Sequence, residues 1–163
     1  MDLFLQVNQD SLQCSKPKIL VLNTGGTFAS HYSNPELLNG VHFIKNACFE
    51  QLKQHFEAKE NYLENSFYRF WIYEIEPMVE SEEMDMKDWC HLCTLIKKAY
   101  SLFDSFVILH GTNTMDFTAS ALSFMIKVPH KKRKNREIKV VQISLQFDKF
   151  LRGLRFERKN LSN

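Results

Sequence analysis

Four short apolar runs do most to limit what this chain can fold into. They are Lys18 to Asn23 (KILVLN), Arg69 to Ile75 (RFWIYEI), Phe106 to Leu109 (FVIL) and Lys139 to Leu145 (KVVQISL). Each is short, apolar and supplied with Val, Ile or aromatic side chains, which marks a strand buried on both faces. Helical patterns lie between them. Ala47 to Ala58 carries Phe49, Leu52 and Phe56 at helical spacing, and Asp116 to Ile126 is rich in Ala, Ser and Met. Pro77 to Glu83 reads as a loop. Asp85 then caps a helix with Asp88 in its first turn, and Trp89, Leu92, Cys93, Ile96 and Tyr100 form its apolar face. Strands alternating with helices predict an α/β fold, a doubly wound, mostly parallel sheet with flanking helices. The 163 residues suit one domain, residues 18–163, behind an N-terminal extension of residues 1–17.

The apolar runs are far shorter than a membrane span. The opening MDLFLQVNQD has an acid where an export signal needs a base, so no signal peptide is expected and cytoplasm is the expected compartment. Cys14, Cys48, Cys90 and Cys93 are then expected as reduced thiols. The net charge of +2 conceals an asymmetry. From Lys127 onward there are twelve Lys/Arg against three Asp/Glu, whereas the preceding residues carry nine against sixteen. The basic segment 131–136 follows Pro129, which ends the preceding helix. A solvated linker is the preferred reading of that segment. No aromatic platform accompanies the charge, so no nucleic-acid partner is expected.

Two strands end in similar chemistry: Thr24-Gly-Gly-Thr27 and Gly111-Thr112-Asn113-Thr114. In open parallel sheets, ligands bind outside the carboxyl ends of the strands. Glycine there admits close approach and leaves backbone N–H groups as donors for a developing oxyanion. The phosphate-cradle patterns are absent, because no lysine follows the glycines and neither glycine spacing is met. A plain turn remains open for either loop alone. Two hydroxyl-bearing loops at strand tips point instead to a nucleophile site.

VLNTGGTFA and FVILHGTNTMDFTASALSFMI closely resemble the two signature segments of the L-asparaginase family, nearest its cytosolic, type I-like branch with ankyrin-linked animal members. EPMVESEEMDMKDW resembles the family's substrate loop, and VVQISLQFDKFLRGLR a later strand and loop. The resemblance runs in order from about Lys18 to about Lys159. It implies hydrolysis of L-asparagine to L-aspartate and ammonia through a threonine acyl-enzyme, with no cofactor and no metal. Thr27 falls at the nucleophile position and Thr112 at that of the second catalytic threonine. Ser81 matches a residue holding the substrate carboxylate. Gly26, Glu82, Gly111 and Tyr32, the last as a lid tyrosine, complete the implied substrate contacts. L-asparagine is the implied partner, and the family forms homo-oligomers.

This chain departs from the pattern at four places. Phe28 stands where the family prefers Ile or Val. Asn113 replaces an aspartate that binds the substrate ammonium, so Asn113→Asp is expected on sequence grounds to raise activity or asparagine binding. The catalytic-lysine position aligns with Arg158, a poor base, and Lys159 lies one residue later. Between Ile126 and Lys139 the family has a further strand, loop and helix, and its C-terminal domain has no counterpart here. A shortened, incomplete domain is the expectation, and a catalytically inactive binding or dimerising partner is the alternative.

The remaining suggestive residues have simpler readings. Cys90-His-Leu-Cys93 lies on an amphipathic helix without a second ligand pair, so a core-facing Cys93 is expected. His110 reads as a packed, hydrogen-bonded histidine rather than a base. Glu80, Glu82 and Glu83 read as a solvated acidic loop rather than a metal site.

Overall fold

A computed structural model describes residues 12–26, 47–54, 56–59, 61–126 and 137–141. The chain forms β1 (Lys18–Asn23), α1 (Ala47–Lys53), β2 (Glu57–Ala58), β3 (Leu63–Glu64) and β4 (Arg69–Glu74). A 3-10 turn (Ser81–Glu83) follows, then α2 (Met86–Ala99), β5 (Ser105–Leu109), α3 (Met115–Met125) and β6 (Glu137–Val141). The six strands make one sheet in the order β2-β3-β4-β1-β5-β6. β4, β1, β5 and β6 are parallel, and β2 and β3 add an antiparallel edge.

The central strands β1, β4 and β5 are largely apolar because both faces of the sheet are covered there. On one face Leu20, Leu22, Trp71, Tyr73, Phe106 and Ile108 pack with Leu92, Leu95, Ile96 and Ala99 of α2 and Leu122 of α3. On the other, Ile19, Val21, Phe70, Val107 and Leu109 pack with Cys48 and Leu52 of α1. Alternate residues of each strand thus serve opposite layers. The doubly wound α/β reading holds, with the antiparallel β2–β3 pair as an addition. Residues 12–17 are held against the domain rather than hanging free: Leu12 packs on the first core, and Lys16 pairs with Glu64 at 3.2 Å.

α2 begins as its sequence predicts. The Asp85 side chain accepts from the backbone N–H of Lys87 and Asp88, and the Asp88 side chain accepts from the Asp85 N–H. This reciprocal cap satisfies donors that the first helical turn leaves without partners. Asp85→Ala is expected to lower stability by about 1 kcal/mol, read as a lower urea midpoint at unchanged slope.

Two boundaries differ from expectation by more than one residue. The helix from Ala47 ends at Lys53 rather than Ala58. Phe56 leaves the helical face to meet Phe70 of β4 with ring centroids 4.8 Å apart, and Glu57–Ala58 pairs with Leu63–Glu64. Aromatic packing and a strand ladder outcompete helical spacing there. β6 begins at Glu137, two residues before the expected Lys139, and the expected residues 142–145 lie outside the described residues. Among the described residues, no helix is long and apolar enough to cross a membrane.

Candidate active site

After β1 the chain builds β2, β3 and β4 on one side of it, and then returns to β5 on the other side. The switch point therefore falls between β1 and β5, where a doubly wound sheet opens a crevice at its carboxyl edge. Register brings three tips to one level, with Asn23 opposite both Glu74 and Leu109. The segments leaving β1, β4 and β5 must emerge side by side.

Backbone bonds tie these segments together. The Ile75 N–H donates to Asn23 O at 2.9 Å, Val79 N–H to Thr24 O at 3.0 Å, and Thr24 N–H to Leu109 O at 3.1 Å. The Thr24 hydroxyl, buried, donates to the same Leu109 carbonyl at 2.8 Å. Thr24 is thus committed to joining two strand tips, and its hydroxyl is not free to attack a ligand.

The glycines set how closely the tips approach. Gly26 has φ +78°, and a Cβ there would lie 2.8 Å from the Gly111 Cα and 2.9 Å from the Gly111 N. A Cβ on Gly111 would lie 2.7 Å from the Ser81 Cβ and 2.8 Å from its Oγ. Gly26 at the end of β1 thus sits against Gly111 beyond β5, and Gly111 sits against Ser81 in the turn after β4. Absent side chains permit that approach.

The polar groups form two layers. In the outer one, the exposed Thr112 hydroxyl donates to Asn113 Oδ1 at 3.0 Å, and Asn113 Nδ2 donates to Glu82 Oε1. The buried Ser81 donates through Oγ to Glu82 Oε2 at 3.2 Å. The Thr114 hydroxyl donates to Ser81 O. The bond from Asn113 holds the Glu82 carboxyl below its usual range. Glu80 is pushed the other way, by burial first and then by the charges of Glu82 and Glu83.

The inner layer buttresses the Gly111 loop. His110 is buried, and its Nδ1 lies 2.7 Å from the carbonyl of Gly111. A carbonyl only accepts, so Nδ1 carries the proton and Nε2 is left as an acceptor. The hydroxyl of the fully buried Thr118 lies 2.8 Å from Nε2 and accepts from Trp89 Nε1 at 3.0 Å. His110 is a packed histidine with both nitrogens used, as its sequence context suggests. The roles of Thr118 and the indole of Trp89 escaped sequence reading, because Trp89 looked apolar and Thr118 stood in the second signature segment with no partner marked for its hydroxyl.

Six of the implied site residues are thus brought together: Gly26, Ser81, Glu82, Gly111, Thr112 and Asn113. Thr27, Tyr32 and Lys159, with Arg158 and the basic segment 131–136, lie outside the described residues. Cys90 is exposed, and Cys93 is half-buried against the core with its thiol pushed up by burial. Among the described residues, no group of three or more His, Cys, Asp or Glu is placed to hold a metal ion.

Known proteins similar to this chain include several L-asparaginases. Residues 18–132 match the family described as asparaginase, N-terminal. An L-asparaginase of Dirofilaria immitis is 33% identical over 132 residues, 71% of this chain and 22% of that protein. L-asparaginase 1 of Escherichia coli K12 is 52% identical over 58 residues, 36% of this chain and 17% of that protein. Among solved structures, L-asparaginase I of Vibrio cholerae superposes with a TM-score of 0.52 at 31% identity, covering 68% of this chain and 30% of that one. The chain spans between about a sixth and a third of the length of these relatives. With its sheet, its strand-tip loops and the match over residues 18–132 in agreement, the chain belongs to the asparaginase N-terminal family.

Proposed function

We propose that this chain carries the nucleophile half of an L-asparaginase-type amidohydrolase site, which hydrolyses L-asparagine to L-aspartate and ammonia through a threonine ester. The observation that supports this best is the contact of Gly26, Ser81 and Gly111 at the switch point. It brings Gly26, the last described residue of the first loop, against Gly111 of the second.

In this reading the Thr27 hydroxyl attacks the side-chain amide carbon, and glycine-loop N–H groups steady the oxyanion. The C–N bond breaks as ammonia leaves. Water activated at Thr112 then opens the ester, releasing aspartate and restoring the hydroxyl. A threonine needs a base, and Lys159 is the residue proposed to supply it. Ser81 holds the substrate carboxylate, and Tyr32 closes over the site as a lid. The same reading keeps residues 18–163 as one shortened domain of the cytosolic, type I-like branch, acting without a cofactor and assembling as a homo-oligomer. The partner-protein alternative is favoured by one feature, the uncharged Asn113 beside Thr112.

Ammonia release from asparagine separates the two readings. The enzyme reading expects turnover, and it expects Ser81→Ala to raise KM about ten- to a hundredfold with little change in kcat, the size of one lost hydrogen bond to a charged group. A wild-type chain that releases no ammonia contradicts the enzyme reading and leaves the partner one.

A further inference from the structure

The first loop turns on two consecutive glycines, Gly25 at φ +123° and Gly26 at φ +78°. Glycine admits such a turn without defining it, because it loses more freedom on folding than any other residue. A group outside the glycines has to hold the one conformation that sets Gly26 against Gly111. The side chain at the end of β1 is placed to do so. By strand alternation Asn23 follows Ile19 and Val21 onto the apolar face covered by α1. It is fully buried there, with 0% exposure. A buried amide is costly unless its polar atoms are bonded.

The partners of Asn23 lie on two strand tips. Its Oδ1 accepts from the Gly25 N–H at 3.3 Å, while Nδ2 donates to Glu74 Oε1 at 3.5 Å and to Met78 Sδ at 3.8 Å. These partners fix which way the amide faces, since an N–H only donates and a carboxylate or thioether only accepts. One side chain therefore fastens the Gly25–Gly26 turn to the tip of β4 and to the segment that runs on to Ser81.

We infer that Asn23 is a positioning residue of the candidate site, fixing the Gly25–Gly26 turn and with it the loop that leads to Thr27. The inference rests on the site proposed above and adds the group that sets the nucleophile loop. Asn23 acts through orientation and not by touching a ligand. Its loss should therefore appear in kcat rather than KM, because a misplaced nucleophile slows a substrate that still binds.

Aspartate at this position gives the role a pH signature. Protonated, its carbonyl accepts from Gly25 and its O–H donates to Glu74, as the amide does. Ionised, it has no donor and sets a second negative charge against Glu74. Among the described residues on this face, Glu74 of β4 is the charged group bonded to position 23. α1 contributes Cys48, whose thiol is pushed up by burial and then by the Glu74 charge and so stays neutral. β5 contributes the apolar Leu109, and His110 bonds Thr118 on the opposite face. Burial and Glu74 both disfavour the ionised form, so the new carboxyl titrates above its ordinary range. Asn23→Asp is functional below that titration and fails as pH rises through it.

The test measures kcat and KM for ammonia release from asparagine by the full chain between about pH 5 and about pH 8. Gly25 amide exchange is followed by NMR, circular dichroism checks folding, and each variant is read as a ratio to wild type at the same pH. Asn23→Ala is expected to lower kcat about ten- to a hundredfold at every pH, with KM within about threefold. It is also expected to speed Gly25 exchange about tenfold or more. Asn23→Asp is expected near wild type at about pH 5 and near the Asn23→Ala level at about pH 8. Three results each overturn the inference: a folded Asn23→Ala with wild-type kcat, a loss confined to KM, or an Asn23→Asp ratio that does not change with pH. Should Asn23→Ala fail to fold, the Asn23→Asp ratio decides alone. A wild type that releases no ammonia removes the enzyme reading, and Gly25 exchange then decides. Exchange that speeds in Asn23→Ala, and in Asn23→Asp only at high pH, retains Asn23 as the positioner of the turn; unchanged exchange overturns it.

Discussion

Gly26→Ala is expected to cost about 2–5 kcal/mol of stability and to remove any activity of the site with it. Two terms add. An L-residue held at the φ of +78° seen for Gly26 carries about 1–2 kcal/mol of strain. The new Cβ would also press on the Gly111 backbone at 2.8 Å, and forcing atoms into a packed contact costs about 1–3 kcal/mol more. Neither neighbour yields easily. The Gly111 loop is buttressed by the His110, Thr118 and Trp89 bonds, and Thr24 anchors the Gly26 loop to Leu109. Against the roughly 5–15 kcal/mol that holds a typical domain together, this is a large fraction. Urea denaturation checks it through a markedly lower midpoint. A wild-type midpoint would show that the two loops do not meet.

Thr112→Ala is expected to lower kcat/KM for ammonia release by about 10²–10⁴, the range for losing a group that moves protons in the transition state. Its effect on stability should be small, since Thr112 is exposed and its described side-chain bond is to the exposed Asn113. That contrast separates the two variants: Gly26→Ala acts through the fold, Thr112→Ala through chemistry. A kcat/KM within a factor of about three of wild type would remove Thr112 from the reaction.

The central strands were legible because burial on both sheet faces writes itself as unbroken apolar runs at Ile19 to Leu22 and Phe106 to Leu109. The start of α2 was legible because Asp85 and Asp88 carry a local signal three residues apart. The β2–β3 hairpin was not, since two-residue strands such as Glu57–Ala58 hold no pattern of their own. Phe56 satisfied helical spacing, yet its partner Phe70 is fourteen positions further along and the spacing carries no trace of it.

Site residues followed the same division. Glycines and hydroxyls at strand tips could be read as residue types, and the register of β1, β4 and β5 gathers them. The bonds that tune the site could not be read. Asn113 and Glu82 are 31 positions apart, and Trp89 and Thr118 are 29. Their meeting depends on how the turn after β4 and the helices α2 and α3 sit over one sheet edge. In the sequence Asn113 is a lost charge; in the fold the Glu82 carboxylate stands beside it.

In the proposed reaction Thr27 and Thr112 act together from two loops. The measurement that tests this most directly is kcat/KM for ammonia release from asparagine by the wild type, Thr27→Ala, Thr112→Ala and the double variant. Groups that act as a unit lose their effect together. Each single variant is expected to fall by about 10² or more, and the double little further than the worse single. A double variant whose loss equals the product of the two single losses, or a Thr27→Ala protein as active as wild type, would contradict it.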